Sequence, residues 1–314
     1  MTDFFAPLIG QPQAVELLKQ AVIKNKIAPA YLFTGTDGVG KGLAARCFIE
    51  LLFSSDPTAK NRLHQGNHPD LLWVQPTYQH QGQRLTPQEA AEKGLKRKAP
   101  PVIRLEQVRE ITVFLSRPPM LAQRNAVVIE QAETMAESAA NALLKTLEEP
   151  GKATLILIAP SVDSILPTIT SRCQRIPFHR LETSAMTEVL IRTGHQEILQ
   201  HQAVMSMAAG SPGEAIALYE QMKAINSELL QAVVKAPTNY RQALELAKQI
   251  DKELDTEAQL WLVNYLQQSY WQQQYQPSVI KLLEQTKKNL LSYAQPRLVW
   301  ECTFLKVMDN RSAL

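Results

Sequence analysis

The stretch that decides the fold of this chain reads Ala30-Tyr31-Leu32-Phe33-Thr34-Gly35-Thr36-Asp37-Gly38-Val39-Gly40-Lys41-Gly42. Its first five residues form a short apolar run, which is typical of a buried strand. From Lys41 to Phe53, apolar residues recur at helical spacing without a proline, which predicts a helix. Between the two lies the pattern G-x-x-x-x-G-K, the core of a phosphate-binding loop. An ordinary glycine turn before a helix is the alternative interpretation of this segment.

The loop has the chemistry that a phosphate group needs, except at one position. Gly35, Gly38 and Gly40 let backbone N–H groups turn toward phosphate oxygens, and the helix N-terminus adds a favourable dipole. Lys41 would neutralise the terminal phosphates. The next residue should be Ser or Thr, whose hydroxyl binds Mg²⁺, but here it is Gly42. The sequence therefore predicts a nucleotide-hydrolase fold that is poorly equipped to hydrolyse.

Strands and helices alternate on both sides of the loop. Further strands are predicted at 68–74, 126–129 and 154–159, and further helices at 11–25, 103–115 and 137–149. This alternation predicts a doubly wound α/β domain with a parallel sheet over residues 1–179. No strong strand is predicted after Phe178, so small helices are expected over 180–222 and a wholly helical region over 223–314.

Composition indicates an ordinary globular chain and gives no sign of a nucleic-acid-coating protein, a cysteine-based module or a membrane helix. The 314 residues are 45% hydrophobic and 20% charged, which is ordinary for a globular chain, and the net charge of +3 is too small to imply wholesale binding of nucleic acid. The three cysteines are far apart and form no C-x-x-C pair. No apolar run approaches the ~18 residues of a membrane helix. Because the N-terminus has no basic region that leads into an apolar stretch, a cytoplasmic location is expected.

Residues 77–102 form a polar insertion with five basic side chains against two acidic ones. A solvated, mobile insertion is the favoured interpretation. The alternative is a basic loop that contacts DNA or an acidic partner. Residues 54–67 are also polar and are predicted to be loop.

Several segments together resemble one family, the subunits of sliding-clamp loaders. The strongest is the ten-residue helix 141–150, which is similar to the signature helix of these subunits, and the tripeptide 171–173 is similar to their Ser-Arg-Cys motif. Weaker matches to bacterial clamp loaders are Ala30-Tyr31-Leu32-Phe33, His68-Pro69-Asp70 and Leu298-Val299-Trp300-Glu301. The resemblance is close from residue 5 to about residue 180 and weak beyond it.

Clamp-loader subunits are AAA+ proteins, so the resemblance implies a parallel-sheet nucleotide domain, a small helical lid over 180–222 and an all-α collar domain over 223–314. Five such subunits form an open ring, which uses ATP in DNA replication to open the sliding clamp and place it on primed DNA. The implied partners are the other subunits of this hetero-pentamer, the sliding clamp and, through the assembled complex, primed DNA, with no membrane. Each nucleotide site combines one subunit's loop with a neighbour's arginine.

Three departures from the family pattern weaken this chain's own site. The first is Gly42. The second is Glu130-Gln131, where the family has Asp-Glu: Glu130 keeps a carboxylate that can interact with a metal, but Gln131 cannot accept a proton, and loss of a general base typically costs about 10²–10⁴-fold. The third is Glu214, where the lid should carry an arginine. ATP is therefore a possible but weakly supported ligand, and since the glycines and Lys41 are retained, tight but unproductive binding is compatible with the sequence.

The arginine that, in the family, acts in a neighbouring subunit's site is present in this chain, unlike the three residues above. Arg172, flanked by Ser171 and Cys173, matches the arginine that stabilises developing phosphoryl charge in a neighbour's site. A surface arginine at a helix end is the structural alternative. Bacterial relatives often carry a four-cysteine zinc module between the loop helix and the His-Pro-Asp strand; because 54–67 has no cysteine, no zinc is predicted.

The favoured hypothesis is an accessory subunit of a DNA polymerase holoenzyme, with little or no ATPase activity of its own, that donates Arg172 in trans. A working motor subunit of the same loader would need a hydroxyl at position 42 and a carboxylate at 131, and the chain has neither. An unrelated P-loop kinase would leave the helix 141–150 and the Ser-Arg-Cys motif unexplained.

Overall fold

The computed structural model describes residues 3–56, 58–95, 100–273, 277–292 and 294–311. The chain divides into two compact units, Met1–Ala185 and Met186–Leu314. The predicted division of the second part into a lid and a collar stays a prediction, and each unit is described by itself below.

The first unit is built on a five-stranded parallel sheet. In the order in which the strands lie side by side, they are β2 (Leu71–Val74), β5 (Asn125–Ile129), β6 (Ala153–Ala159), β1 (Ala30–Thr34) and β7 (Gln174–Pro177). The four predicted strands are all present. The fifth, β7, was not predicted, because the exposed polar residues Gln174 and Arg175 make up half of this short edge strand.

Helices cover the sheet and bury its apolar faces. They are α1 (Pro12–Ile23), α2 (Lys41–Leu52), α3 (Ala59–His64), α5 (Leu105–Leu115), α6 (Glu137–Glu148) and α7 (Pro167–Thr170), with a 3₁₀ turn at Ala132–Thr134. Every residue of β5 and β6 is buried, as expected for central parallel strands covered on both sides. The doubly wound α/β prediction is confirmed. The prediction that 54–67 is loop is wrong at α3, whose polar composition hid a short surface helix.

The polar insertion has regular structure. It contains a hairpin of β3 (Tyr78–His80) and β4 (Gln83–Leu85), followed by α4 (Pro87–Glu92). A pair of backbone hydrogen bonds between Thr77 and Val102 closes its base, and Arg84 forms an ion pair with Glu110 of α5. These elements give the insertion a defined fold, and its interpretation as a solvated, mobile segment stays a prediction. Lys96, Arg97 and Lys98, on which the DNA-contact alternative depends, lie outside the described residues.

The second unit is all helical in its described part, as predicted. Helix α8 (Thr183–Arg192) crosses the boundary between the units, and α9 (Gln202–Ala208), α10 (Pro212–Ala224), α11 (Ser227–Lys235), α12 (Tyr240–Glu253), α13 (Thr256–Gln272), α14 (Pro277–Leu291) and α15 (Pro296–Arg311) follow. Trp300 is fully buried and donates from Nε1 to Gln259 Oε1 over 3.0 Å, whereas Trp271 is 66% exposed. In the described residues, no helix has both the length and the apolarity that crossing a bilayer requires.

Candidate functional site

The phosphate-type loop lies at the carboxyl end of β1, and its glycines are sterically required. Gly35 has a φ of +153°, and a Cβ atom there would lie 2.4 Å from the backbone oxygen of Phe178. Gly40 has a φ of +99° and immediately precedes α2. Gly38 also has a positive φ, of +76°. The backbone conformation of a glycine loop that opens a helix, as predicted, is therefore present.

A buried glutamine that sequence reasoning missed supports this loop. Gln11, 3% exposed, donates from Nε2 to Val39 O over 3.2 Å and to His179 O over 2.7 Å. Its Oε1 accepts from the backbone N–H of His179. Because the predicted helix begins at Gln11, its pattern did not indicate that this side chain ties the loop to the chain after β7.

Lys41 is folded back onto its own loop. Its side chain is 4% exposed, and its ammonium group donates to the backbone oxygens of Gly35 and Thr36 and to Asp37 Oδ1 at 3.0 Å. An ammonium group has three N–H donors, so these contacts satisfy all of them. The loop's own carbonyls and carboxylate thus hold the charge that would otherwise meet a phosphate.

The metal-binding part of the site does not fit Mg²⁺. A Cβ atom at Gly42 would lie 3.5 Å from Glu130 Oε1, so position 42 still faces the carboxylate but offers it no hydroxyl. Gln131 follows in a left-handed conformation, with φ of +47°, and is exposed. Among the described residues, no group of three or more His, Cys, Asp and Glu side chains is placed to hold a metal ion.

Glu133 adds a second negative group beside the loop, two residues after the degenerate pair. Burial raises the pKa of Glu133 above its usual range; the charge of Asp37 reinforces the rise, and Lys41 opposes it. Glu133 lines a cleft of about 310 Å³ together with Glu137 and Asp163. The carboxyl groups of Asp37 and Glu133 make the surroundings of the loop unfavourable for a triphosphate.

Replacing Asp37 with asparagine is expected to tighten nucleotide binding to this chain about tenfold. A carboxylate about 4 Å from a phosphate charge costs about 1–4 kcal/mol, depending on the local dielectric, and the change removes that charge and releases one Lys41 donor. The measurement is titration of the full chain with a fluorescent ATP analogue. Asp163→Asn, at an exposed aspartate of the same unit, is the control. Equal affinities for wild type and both variants would contradict the expected role of Asp37.

Arg172 lies on the surface, and hydrogen bonds hold its guanidinium group in one direction. Its Nη2 donates to Glu148 Oε1 over 2.7 Å, and its Nη1 donates to Thr168 O over 3.0 Å. Ser171 Oγ is 3.5 Å from Nη1 and itself donates to Thr168 O. The Arg172 side chain remains 39% exposed, so a phosphate group from outside the chain can reach the guanidinium.

Cys173 has a packing role in this geometry. It is partly buried against the hydrophobic core of the first unit. Burial raises the pKa of its thiol to about 11, so the side chain stays a neutral thiol near pH 7. Nothing in these contacts supports a direct catalytic role for Cys173, and Ser171 acts on the backbone of α7 and on Arg172.

Arg172 and the loop lie at opposite ends of two neighbouring parallel strands, β7 and β1. Arg172 precedes the first residue of β7, at the amino ends of the strands, whereas Phe178 follows β7 and contacts Gly35 at the carboxyl ends. Extended chain rises about 3.3 Å per residue, so the four steps from Gln174 to Phe178 alone span about 13 Å. An arginine side chain does not cover that distance, so Arg172 cannot reach the loop of its own chain.

Glu214 has a local structural explanation. It lies in the first turn of α10, where a carboxylate is favourable next to the helix N-terminus, and its backbone N–H donates to Ser211 Oγ over 3.2 Å. Glu214, which stands where the family has an arginine, is thus a favourable residue for the first turn of a helix.

Comparison with known proteins gives one consistent family. Residues 10–182 match the family described as DNA polymerase III, delta subunit, and residues 184–307 match the C-terminal domain of cyanobacterial DNA polymerase III delta prime. DNA polymerase III subunit delta' from Bacillus subtilis is 32% identical over 66% of this chain and 59% of its own length. The delta' subunit from Pseudomonas aeruginosa is 33% identical over 62% of this chain and 56% of its own length.

The fold has a solved counterpart. A gamma subunit-related protein of DNA polymerase III from Thermotoga maritima has a TM-score of 0.52 at 18% identity, covering 95% of this chain and 99% of that one. This likeness supports the fold. The matched region spans less than 60% of the length of the two delta' relatives.

Proposed function

Because the chain belongs to the DNA polymerase III delta-prime family, we propose that it is a clamp-loader subunit that helps place the sliding clamp on primed DNA. In this role it contributes Arg172 to the nucleotide site of a neighbouring subunit and hydrolyses little ATP itself. Its partners are the other loader subunits, the clamp and, through the complex, primed DNA, and its place of action is the cytoplasm.

One observation carries the proposal: Arg172 lies at the amino end of β7, whereas the chain's own loop lies at the carboxyl end of the neighbouring strand β1. An exposed guanidinium that cannot serve its own site is available to a site on another molecule. Arginine suits that task, since its planar fork matches phosphate geometry and stays charged at all physiological pH values. Its charge would stabilise the negative charge that develops on the transferring phosphoryl oxygens.

The contacts of the phosphate loop support the proposal that this chain hydrolyses little ATP. Lys41 is held by Asp37 and by backbone carbonyls, and Gly42 offers no hydroxyl beside Glu130. The loop is then retained as a structural connection between β1 and α2, tied down by Gln11, and any nucleotide that binds there is bound weakly. A motor subunit would instead need this loop to bind ATP and hydrolyse it.

The Lys41→Ala change tests the two functions against each other. In a loader reconstituted with the variant, clamp- and DNA-stimulated ATP turnover is expected to stay within about twofold of wild type, because the hydrogen bonds of Lys41 within the described residues all go to its own loop. The measurement is steady-state phosphate release together with the rate of clamp loading. A tenfold or larger loss of turnover in a correctly assembled complex would favour the motor subunit and contradict an idle site.

A further inference from the structure

The helix α6 ends at Glu148, and Glu149 follows as its C-cap residue. The two glutamates differ in what they contact. Glu148 accepts a hydrogen bond from Arg172 over 2.7 Å, while the described contacts of Arg172 do not include Glu149. Both glutamates are exposed. Glu148 is 24 positions away from Arg172 in sequence, so the fold alone brings the two together.

We propose that Glu148 is a positioning residue, which holds the Arg172 guanidinium in the direction that a neighbouring subunit's phosphates require. This inference rests on the proposed function of Arg172. Glu148 itself does not meet the nucleotide; it acts through the orientation of Arg172.

Stability does not account for the ion pair. Its side chains are 39% and 53% exposed, and surface pairs of this kind contribute about 0–1 kcal/mol to folding. An unrestrained arginine, by contrast, has large rotamer freedom, which must be lost when the guanidinium is fixed against a phosphate. Glu148 and the carbonyl of Thr168 impose that order before the subunits meet. Preorganisation of this kind lowers the barrier of the reaction.

The geometry leaves the guanidinium able to bind a second anion. Arginine has five N–H donors, and in the described part of the chain the contacts with Glu148, Thr168 and Ser171 account for at most three of them. The contacted groups lie on α6, on α7 and beside Arg172, so they restrain the guanidinium from two elements of the first unit. The remaining donors serve the phosphate oxygens.

The test is a comparison of Glu148→Gln with Glu149→Gln in the reconstituted loader. The Glu148 variant is expected to lower kcat for clamp- and DNA-stimulated ATP hydrolysis about tenfold at the site that Arg172 completes, with KM for ATP unchanged. The Glu149 variant, which removes the same charge one residue away, is expected to match wild type. Thermal unfolding of the variants should agree with wild type, since the pair is exposed.

A double-mutant cycle separates this inference from the proposed function. In a chain that already carries Arg172→Ala, the Glu148→Gln change is expected to have no further effect on kcat. If Arg172→Ala has no effect at all, the proposed function fails. If Arg172→Ala lowers kcat but Glu148→Gln equals Glu149→Gln, or raises kcat, only the positioning role of Glu148 is overturned.

Discussion

Replacing Arg172 with alanine is expected to lower ATP hydrolysis at the neighbouring subunit's site by at least about 10³-fold. Trans-acting arginines stabilise the charge that develops on the transferred phosphoryl group and supply about 10³–10⁵ in rate. The side chain is exposed and makes no contact with its own loop, so its loss leaves this chain's phosphate loop intact. The measurement is the pre-steady-state phosphate burst of the clamp- and DNA-bound loader, whose amplitude counts the active sites and should fall by one.

Two further variants make this result specific. Arg175→Ala removes another exposed arginine, three residues later on β7, and is expected to leave the burst unchanged. Arg172→Lys keeps the charge but loses the planar fork, so it should recover only a minor part of the rate. A full burst with Arg172→Ala, in a loader of normal composition, would show that the neighbouring site obtains its arginine elsewhere.

The sheet could be predicted from sequence where burial is complete. The strands β1, β5 and β6 are continuous apolar runs, because helices cover both of their faces, and such runs are visible without a structure. The edge strand β7 could not be predicted, since half of its residues face solvent and the run is only four residues long. The hairpin and α4 in the insertion were hidden for the same reason: few of their residues are buried.

The residue types of the candidate site could be predicted from the sequence, but the contacts between its side chains could not. The glycines and Lys41 follow from a fixed local spacing, and the structure places them at the end of β1 as that spacing requires. Whether Lys41 faces solvent or its own loop depends on side-chain rotamers, although the i, i+4 spacing of Asp37 and Lys41 was a signal that could have been used. The Glu148–Arg172 pair joins the end of α6 to the second residue after α7, and only the packed fold reveals it.

The His-Pro-Asp motif, which matched the family by sequence alone, has a structural function that the contacts explain. Asp70 is 1% exposed, and its carboxylate accepts three backbone N–H groups, each over 2.7 Å: Met120 on Oδ1, and Leu121 and Ala122 on Oδ2. Its own N–H donates to His68 Nδ1. One side chain thereby fixes the loop that leads from α5 into β5.

Asp70→Ala is accordingly expected to lower the free energy of unfolding by about 4 kcal/mol, because three buried N–H groups lose their acceptor and each such loss costs about 1–3 kcal/mol before the loop relaxes. Asp70→Asn should lower the free energy of unfolding about half as much. Its amide oxygen can still accept the hydrogen bonds from the N–H groups of Leu121 and Ala122, but its NH₂ group cannot accept the one from Met120. Urea unfolding, with Asp163→Asn as an exposed control, gives both values.

The pH dependence distinguishes the carboxylate from mere packing. Burial alone would raise the pKa of Asp70, but the three N–H donors outweigh it and hold the pKa below its ordinary value of 3.8. A group whose pKa is lowered by folding stabilises the folded state above its unfolded pKa, and that contribution is lost as the pH falls through the folded value. The difference in stability between wild type and Asp70→Asn should therefore be constant near neutrality and shrink below about pH 4. A difference that stays constant through that range would mean that the negative charge of Asp70 does not hold the loop, and that the shape of the side chain alone is what the motif preserves.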